Sequence, residues 1–120
     1  MISHVKFVSI PTKDQDRALA FYTEKLGFEV VTDQTFGPQR WIELRIGRAE
    51  THFVLFTMTG HESRVGEPFN GAFATDDVEQ TYEELSARGV TFTSPPKKEH
   101  WGTFAGFVDS EGNQFVLSSR

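Results

Sequence analysis

The chain contains an internal repeat, which limits its possible folds more than any other feature. The segments 7–28 and 70–90 share one order: an apolar strand, a short loop, an amphipathic helix and a glycine. The aligned pairs are Thr12 with Thr75, Asp14 with Asp77, and, after a one-residue offset, Gly27 with Gly89. The copies lie about 60 residues apart, whereas solenoid repeats recur every ~20–50 residues. We therefore predict a duplicated half-domain, an arrangement that often places a ligand site between the halves.

Each copy predicts a strand, a helix and three further strands. In the first copy, Asp14 is suited to cap the helix and Gly27 to end it. In the second, Asp76 followed by Glu79 resembles a capping box. The predicted fold class is α+β, with two βαβββ modules whose mixed sheets curve around a cleft and carry helices on their outer faces.

The module boundaries follow from glycine and proline. A chain of 120 residues predicts a single domain. The first module covers 1–58, a Gly- and Pro-containing linker covers 59–69, and the second module covers 70–120. After a strand at 90–93, Ser94-Pro95-Pro96 predicts a polar loop that reaches Gly102. A final hairpin surrounds residues 109–113, where Gly112 supplies a positive φ.

Composition narrows the possible partners. The net charge is -5 and the basic residues are scattered, so neither nucleic acid nor an anionic membrane is an expected partner. The absence of cysteine excludes disulfides and thiolate chemistry. No signal peptide and no run of about 18 apolar residues is visible. We expect a cytoplasmic protein.

Three short motifs resemble one protein family. They are Phe21-Tyr22, Leu26-Gly27-Phe28 and the late Asp109-x-x-Gly112-Asn113. Together with the element order, they are similar to the vicinal-oxygen-chelate superfamily, which includes glyoxalase I, bleomycin-resistance proteins and extradiol dioxygenases. The resemblance covers nearly the whole chain. It is specific for the fold but not for the activity, because one fold hosts many reactions.

The resemblance implies where a metal would bind in this family. Its ligands come from the first and last strand of each module, and those positions fall on Phe7, Leu55, Asn70 and Val116. Only asparagine among these can donate a lone pair, whereas a divalent metal needs about three such ligands. Because side chains alternate along a strand, His4 and His52 are expected to point away from Phe7 and Leu55. We therefore predict no metal and no other cofactor.

The same alternation predicts a largely apolar cleft with a few polar groups. Its predicted residues are Phe7, Trp41, Glu43, Arg45, Phe53, Leu55, Asn70, His100, Trp101, Phe104 and Val116. Each also has a plainer interpretation. The aromatic residues are suited to a core, Glu43 and Arg45 to a surface ion pair rather than to orienting a ligand, and His100 to a solvated loop.

Three functional hypotheses follow. The first is a protein that binds a small apolar or aromatic molecule without a metal, as bleomycin-resistance proteins sequester their ligands. The second is a lyase, isomerase or dioxygenase that depends on a divalent metal. The third is a metal-free enzyme that uses Glu43 or His100 for acid–base chemistry. We also expect a homodimer, because modules of this kind leave strand edges that need covering.

Overall fold

The computed structural model describes residues 1–120, which form two compact units, Met1–Val65 and Gly66–Arg120. The first unit contains β1 (Phe7–Ile10), α1 (Gln15–Ala20) with a π-helical turn (Phe21–Lys25), β2 (Glu29–Phe36), β3 (Gln39–Arg45), β4 (His52–Leu55) and a 3₁₀ turn (Glu62–Arg64). The second contains β5 (Pro68–Thr75), α2 (Val78–Ala87), β6 (Thr91–Glu99), β7 (Gly102–Val108) and β8 (Gln114–Ser119). No helix is both long and apolar enough to cross a membrane.

Both units have the same sheet topology. The strand order is β1-β4-β3-β2 in the first sheet and β5-β8-β7-β6 in the second. In each sheet the first and fourth strands pair in parallel, and the other neighbours are antiparallel. The predicted fold class is confirmed: the chain is α+β, with two βαβββ modules and mixed sheets.

The helix of the first unit begins and ends as the sequence predicts. The Asp14 carboxylate accepts a 3.0 Å hydrogen bond from the backbone N–H of Arg17, which satisfies one of the free donors of the first turn. After the π-helical turn, Gly27 takes a φ of +78°. Tyr22 of that turn is fully buried and packs on Phe28. This contact fixes the helix against its own sheet.

The helix of the second unit is capped by Asp77, so the prediction of Asp76 as its cap is wrong. The Asp77 carboxylate accepts a 3.0 Å hydrogen bond from the N–H of Gln80. Asp76 instead forms an exposed ion pair with Arg120. The internal repeat already aligned Asp77 with Asp14, and the local capping-box pattern misplaced the cap by one residue.

The core of each unit lies between its helix and one face of its sheet. In the first unit the fully buried aliphatic side chains include Ile10, Ile42, Leu44 and Leu55. In the second unit the core is aromatic: Phe69, Phe73, Phe92, Phe107 and Phe115 form a connected set of ring contacts. The helix of each unit does not cover the opposite face of its sheet.

Two predicted non-strand segments are in fact strand. Residues 68 and 69 fall in the predicted linker but form the start of β5. Ser94-Pro95-Pro96 was predicted to begin a loop, yet β6 continues through it to Glu99. Proline lacks an N–H, so it is tolerated only where a strand has a free edge or a bulge. Here β6 is the edge strand, and its register with β7 shifts between Ser94 and Lys97.

The hairpin before β8 is held by two buried polar side chains. The Asp109 carboxylate accepts hydrogen bonds from the backbone N–H groups of Glu111 and Asn113, both at 2.9 Å, and from the Asn113 side chain at 2.8 Å. The side-chain amide oxygen of Asn113 (Oδ1) accepts a 2.7 Å hydrogen bond from the N–H of Gly66. Gly112 takes the expected positive φ, +83°. The loop therefore ties the start of the second unit to its last strand.

Candidate functional site

The first sheet turns one face away from α1. Phe7 of β1 lies in register with His52 of β4, and Val54 of β4 lies opposite Glu43 of β3. Residues in register on neighbouring strands point to the same face, and each strand alternates. Phe7, Trp41, Glu43, His52 and Val54 therefore share the face away from α1.

The predicted orientation of β4 is wrong. Phe53 and Leu55 lie on the helix-packed face, where Phe53 contacts Phe28 at a ring distance of 6.0 Å. His52, which was expected to point away, lies beside Phe7 instead. The cause is a one-residue difference in register, which turns every side chain of a strand to the other face.

His52 and Glu43 form the polar centre of this face. The Nδ1 atom of His52 lies 2.5 Å from Oε2 of Glu43, and the Trp41 indole N–H donates to Oε1 of Glu43 at 3.1 Å. Both side chains of the pair are mostly buried, with 21% of His52 and 15% of Glu43 exposed. The hydrogen bond from His52 and a weaker one from Trp41 hold the pKa of Glu43 below its usual value, although burial opposes them. Glu43 is thus a fixed carboxylate.

Aromatic rings surround the pair. Trp41 makes an edge-to-face contact with Phe7 at 5.3 Å and a tilted contact with Phe56 at 5.3 Å. Aromatic rings prefer these geometries because their edges are positive and their faces negative. The face therefore combines three aromatic rings, set at angles to one another, with one oriented histidine.

Arg45 does not pair with Glu43. Its guanidinium binds the Glu29 carboxylate at 2.7 Å, and the two residues face each other across β2 and β3. The predicted Glu43–Arg45 ion pair is wrong because the better partner of each lies on a neighbouring strand. His4, before β1, lies 3.6 Å from Glu50.

The second sheet also leaves one face uncovered by its helix. Val116 of β8 lies beside Ala72 of β5 on one side and Gly106 of β7 on the other. Phe104 lies opposite Ser118, so it points to this same face. The alternation predicted for these strands therefore matches their register. Val116 is 40% exposed.

Trp101 extends this second face. It lies in the turn between β6 and β7, is 59% exposed and stacks on Phe104 with a ring distance of 5.4 Å and an angle of 17°. Ala72 and Ala74 of β5 are exposed and carry only small side chains, whereas the hydroxyl groups of Thr93 and Ser94 occupy the space next to Gly106. The result is an apolar, ring-bearing surface in contact with solvent.

Strand register does not assign Asn70 or His100 to either face of the second sheet. Asn70 is exposed in the part of β5 where the register with β8 shifts, between Pro68 and Ala72. His100 lies next to Trp101 in the β6–β7 turn. His100 lies where β6 ends and β7, the strand of Phe104, begins. No hydrogen bond fixes its side chain.

Sequence reasoning missed His52 and Phe56. Both lie on the Phe7 face, but β4 is apolar on both sides, so its pattern does not fix its orientation. The available signal was the parallel pairing of first and last strands within a module, which brings His52 next to Phe7.

A divalent metal does not fit the donors present. No group of three or more His, Asp and Glu side chains lies close enough to hold one ion. His52 and Glu43 supply two donors, but each is already bonded to the other. Since such metals take about three protein ligands, we derive no chemistry through a metal.

Comparisons with known proteins agree on one family. The family model described as the Glyoxalase/Bleomycin resistance protein/Dioxygenase superfamily matches residues 2–117. The protein YetH of Bacillus subtilis is 34% identical over 118 residues, which are 98% of each chain. A structure of a superfamily member from Sphaerobacter thermophilus superposes with a TM-score of 0.89 at 34% identity, covering 99% of this chain and 98% of that one. TnmS3, described as an antibiotic-binding protein from Streptomyces sp. CB03234, superposes with a TM-score of 0.86 at 34% identity, covering 98% of this chain and 96% of its own.

Proposed function

Because the chain belongs to the glyoxalase/bleomycin resistance protein/dioxygenase superfamily, we propose that it binds a small, flat, apolar or aromatic molecule without a metal. One observation carries the proposal: Trp101 is 59% exposed and stacks on Phe104, next to a sheet face that also carries the exposed Val116. Exposed apolar patches of this kind mark ligand or partner surfaces.

The chemistry of that face favours a flat ligand. Phe104 fixes the orientation of the Trp101 ring, so little side-chain entropy is lost when a ligand stacks on it. Ala72 and Ala74 add small side chains on β5 that project little from the sheet. Aromatic stacking adds about 0.5–1.5 kcal/mol beyond the apolar area that is buried.

The similarity to TnmS3 supports binding rather than catalysis. That protein is described as antibiotic-binding, and it matches this chain over nearly its whole length. A sequestering protein needs only affinity for its ligand, and the second sheet supplies apolar surface without any reactive group on the face described.

Calorimetric titration with 2-methoxynaphthalene tests the proposal. Trp101→Ala removes the outer ring of the stack and is expected to weaken binding about tenfold, because each 1.4 kcal/mol of lost contact is a factor of ten. Ile2→Ala is the control, since Ile2 is also a large exposed apolar side chain but precedes β1 in the first unit. Unchanged affinity in the Trp101 variant would contradict the assignment of this surface.

A metal-free enzyme is the second candidate, and the Glu43–His52 pair favours it. A carboxylate that orients a histidine is a common arrangement for general acid–base catalysis. His100 was the other predicted group, but it lies in a turn and no carboxylate orients its ring. Turnover of a bound compound that Glu43→Gln abolishes would favour this candidate over simple binding.

The metal-dependent alternative has its own measurement. Elemental analysis of protein purified without chelator is expected to show far less than one Zn²⁺, Fe²⁺ or Mn²⁺ per chain, and these ions are not expected to raise the thermal midpoint. A near-stoichiometric metal with a matching thermal shift would replace the proposal by a lyase, isomerase or dioxygenase.

We also propose a homodimer in the cytoplasm. The edge strand β2 exposes Val30, Val31 and Phe36 along eight residues, and unpaired strand edges favour association. Light scattering at working concentration is expected to give twice the chain mass. A monomer would refute the dimer, and fractionation of the expressing cells would test the location.

A further inference from the structure

The histidine on the first sheet has an orientation that the proposed function does not use. An ionised carboxylate can only accept hydrogen bonds, so the 2.5 Å contact with Glu43 places the hydrogen of His52 on Nδ1. In the neutral ring, Nε2 then carries a lone pair and can only accept. The pKa of Glu43 is lowered chiefly by this hydrogen bond, which agrees with an ionised carboxylate.

The second oxygen of Glu43 is also fixed. It accepts the Trp41 indole N–H at 3.1 Å, so the carboxylate cannot rotate away from His52 without losing that bond. The other charges near the pair are Lys6, which acts on Glu43 at longer range, and Arg45, which is engaged by Glu29. The acceptor role of Nε2 is therefore set by the carboxylate.

The surroundings define what can reach Nε2. Trp41 contacts both Phe7 and Phe56 on this face, and 21% of the His52 side chain is exposed. A flat molecule that stacks against one of these rings has its rim near the imidazole. A polar group on that rim has to donate a hydrogen bond, because a second acceptor would face the Nε2 lone pair.

We propose that the face of the first sheet binds an aromatic molecule that carries a hydroxyl group, and that this hydroxyl donates its hydrogen to Nε2 of His52. The proposal goes beyond the proposed function, because it concerns the first sheet rather than the Trp101–Phe104 surface of the second, and it adds the chemical class of the ligand. No covalent step is involved. Glu43 acts as a positioning residue, because it fixes which nitrogen of His52 accepts.

A pair of probes tests this inference. At pH 8, 2-naphthol is expected to bind the wild-type protein about three- to tenfold more tightly than 2-methoxynaphthalene, which has the same rings but no donor. His52→Phe keeps a flat ring of similar size and removes both nitrogens, so the preference is expected to fall to about one. His4→Phe is the matched control, because His4 also lies beside a glutamate but before β1, and it should keep the wild-type preference.

Glu43→Gln gives a readout that a purely structural role would not produce. Trp41 still donates to the amide oxygen, which turns the amide NH₂ toward Nδ1 of His52. Nδ1 must then accept, so the hydrogen moves to Nε2, which becomes a donor. The preference for 2-naphthol is therefore expected to disappear while 2-methoxynaphthalene still binds. This variant also carries the test if His52→Phe fails to give a folded circular dichroism spectrum.

The two proposals fail in different ways. Equal binding of both probes to the wild-type protein, or an unchanged preference in Glu43→Gln, overturns the hydroxyl inference and leaves aromatic binding standing. Binding of neither probe overturns both.

Discussion

Replacing Glu43 by leucine should destabilise the protein by an amount that depends on pH. The Glu43 side chain is 15% exposed and bonds to both Trp41 and His52. Leucine has a similar shape but no acceptor, so two donors lose their partner. A buried donor without a partner costs about 1–3 kcal/mol, and partial exposure of His52 lets water replace some of that loss. We expect a loss of about 2–3 kcal/mol in the free energy of unfolding at pH 7, measured by urea denaturation.

The sign of the pH dependence follows from the lowered pKa of Glu43. Its ordinary value is 4.5, and the folded protein holds the pKa below that value because His52 and Trp41 bond to the charged form. A carboxyl group whose pKa is lower in the folded than in the unfolded protein stabilises the folded state. This stabilisation is complete above the pKa of the unfolded state and is lost as the pH falls through the pKa of the folded state. The stability gap between wild type and Glu43→Leu should therefore shrink at pH 3.

Glu29→Leu is the control for this experiment. Glu29 also bonds to a basic side chain, that of Arg45, but both side chains are largely exposed, and such surface pairs contribute about 0–1 kcal/mol. Two results would refute the assignment of Glu43 as a buried, bonded carboxylate. One is a loss in the free energy of unfolding for Glu43→Leu that is equal at pH 7 and pH 3. The other is a loss no larger than that of Glu29→Leu.

Four further substitutions test the fold by thermal or urea unfolding. Asp77→Ala should cost about 1 kcal/mol through loss of the α2 cap, whereas Asp76→Ala should cost less than about 0.5 kcal/mol; the reverse order would restore the capping-box interpretation. Phe107→Ala should cost about 3–5 kcal/mol, because Phe107 is 1% exposed at the centre of the aromatic core, and a cost below about 2 kcal/mol would contradict that packing. Gly112→Ala should cost about 1–2 kcal/mol, since φ is +83° and the added Cβ would meet only the Gly66 Cα, at an ordinary contact distance of 3.9 Å; a neutral result would contradict the turn.

The repeat in the sequence predicted the parts of the structure that depend on local chemistry. Asp14 caps α1 because its side chain reaches the free N–H groups of the next turn, and Gly27 ends the helix because it accepts a positive φ. The same reasoning, applied through the alignment of Asp14 with Asp77, finds the second cap as well. Duplication of this local order was enough to predict two βαβββ modules.

Strand orientation required the tertiary structure. β4 is apolar on both sides, so nothing in its own sequence distinguishes the His52 face from the Leu55 face. Likewise, Pro95 and Pro96 indicate a loop unless it is known that β6 lies at the edge of its sheet.

The sequence by itself therefore determined the fold class, both ends of the first helix and the face of the second sheet that carries Phe104 and Val116. Only the tertiary structure decided that His52 joins Glu43 and Trp41, and that Arg45 binds Glu29 instead of Glu43. The physical reason is that caps and turns are set by neighbours in the chain, whereas the face of a strand is set by its register with another strand, and a shift of one residue reverses it.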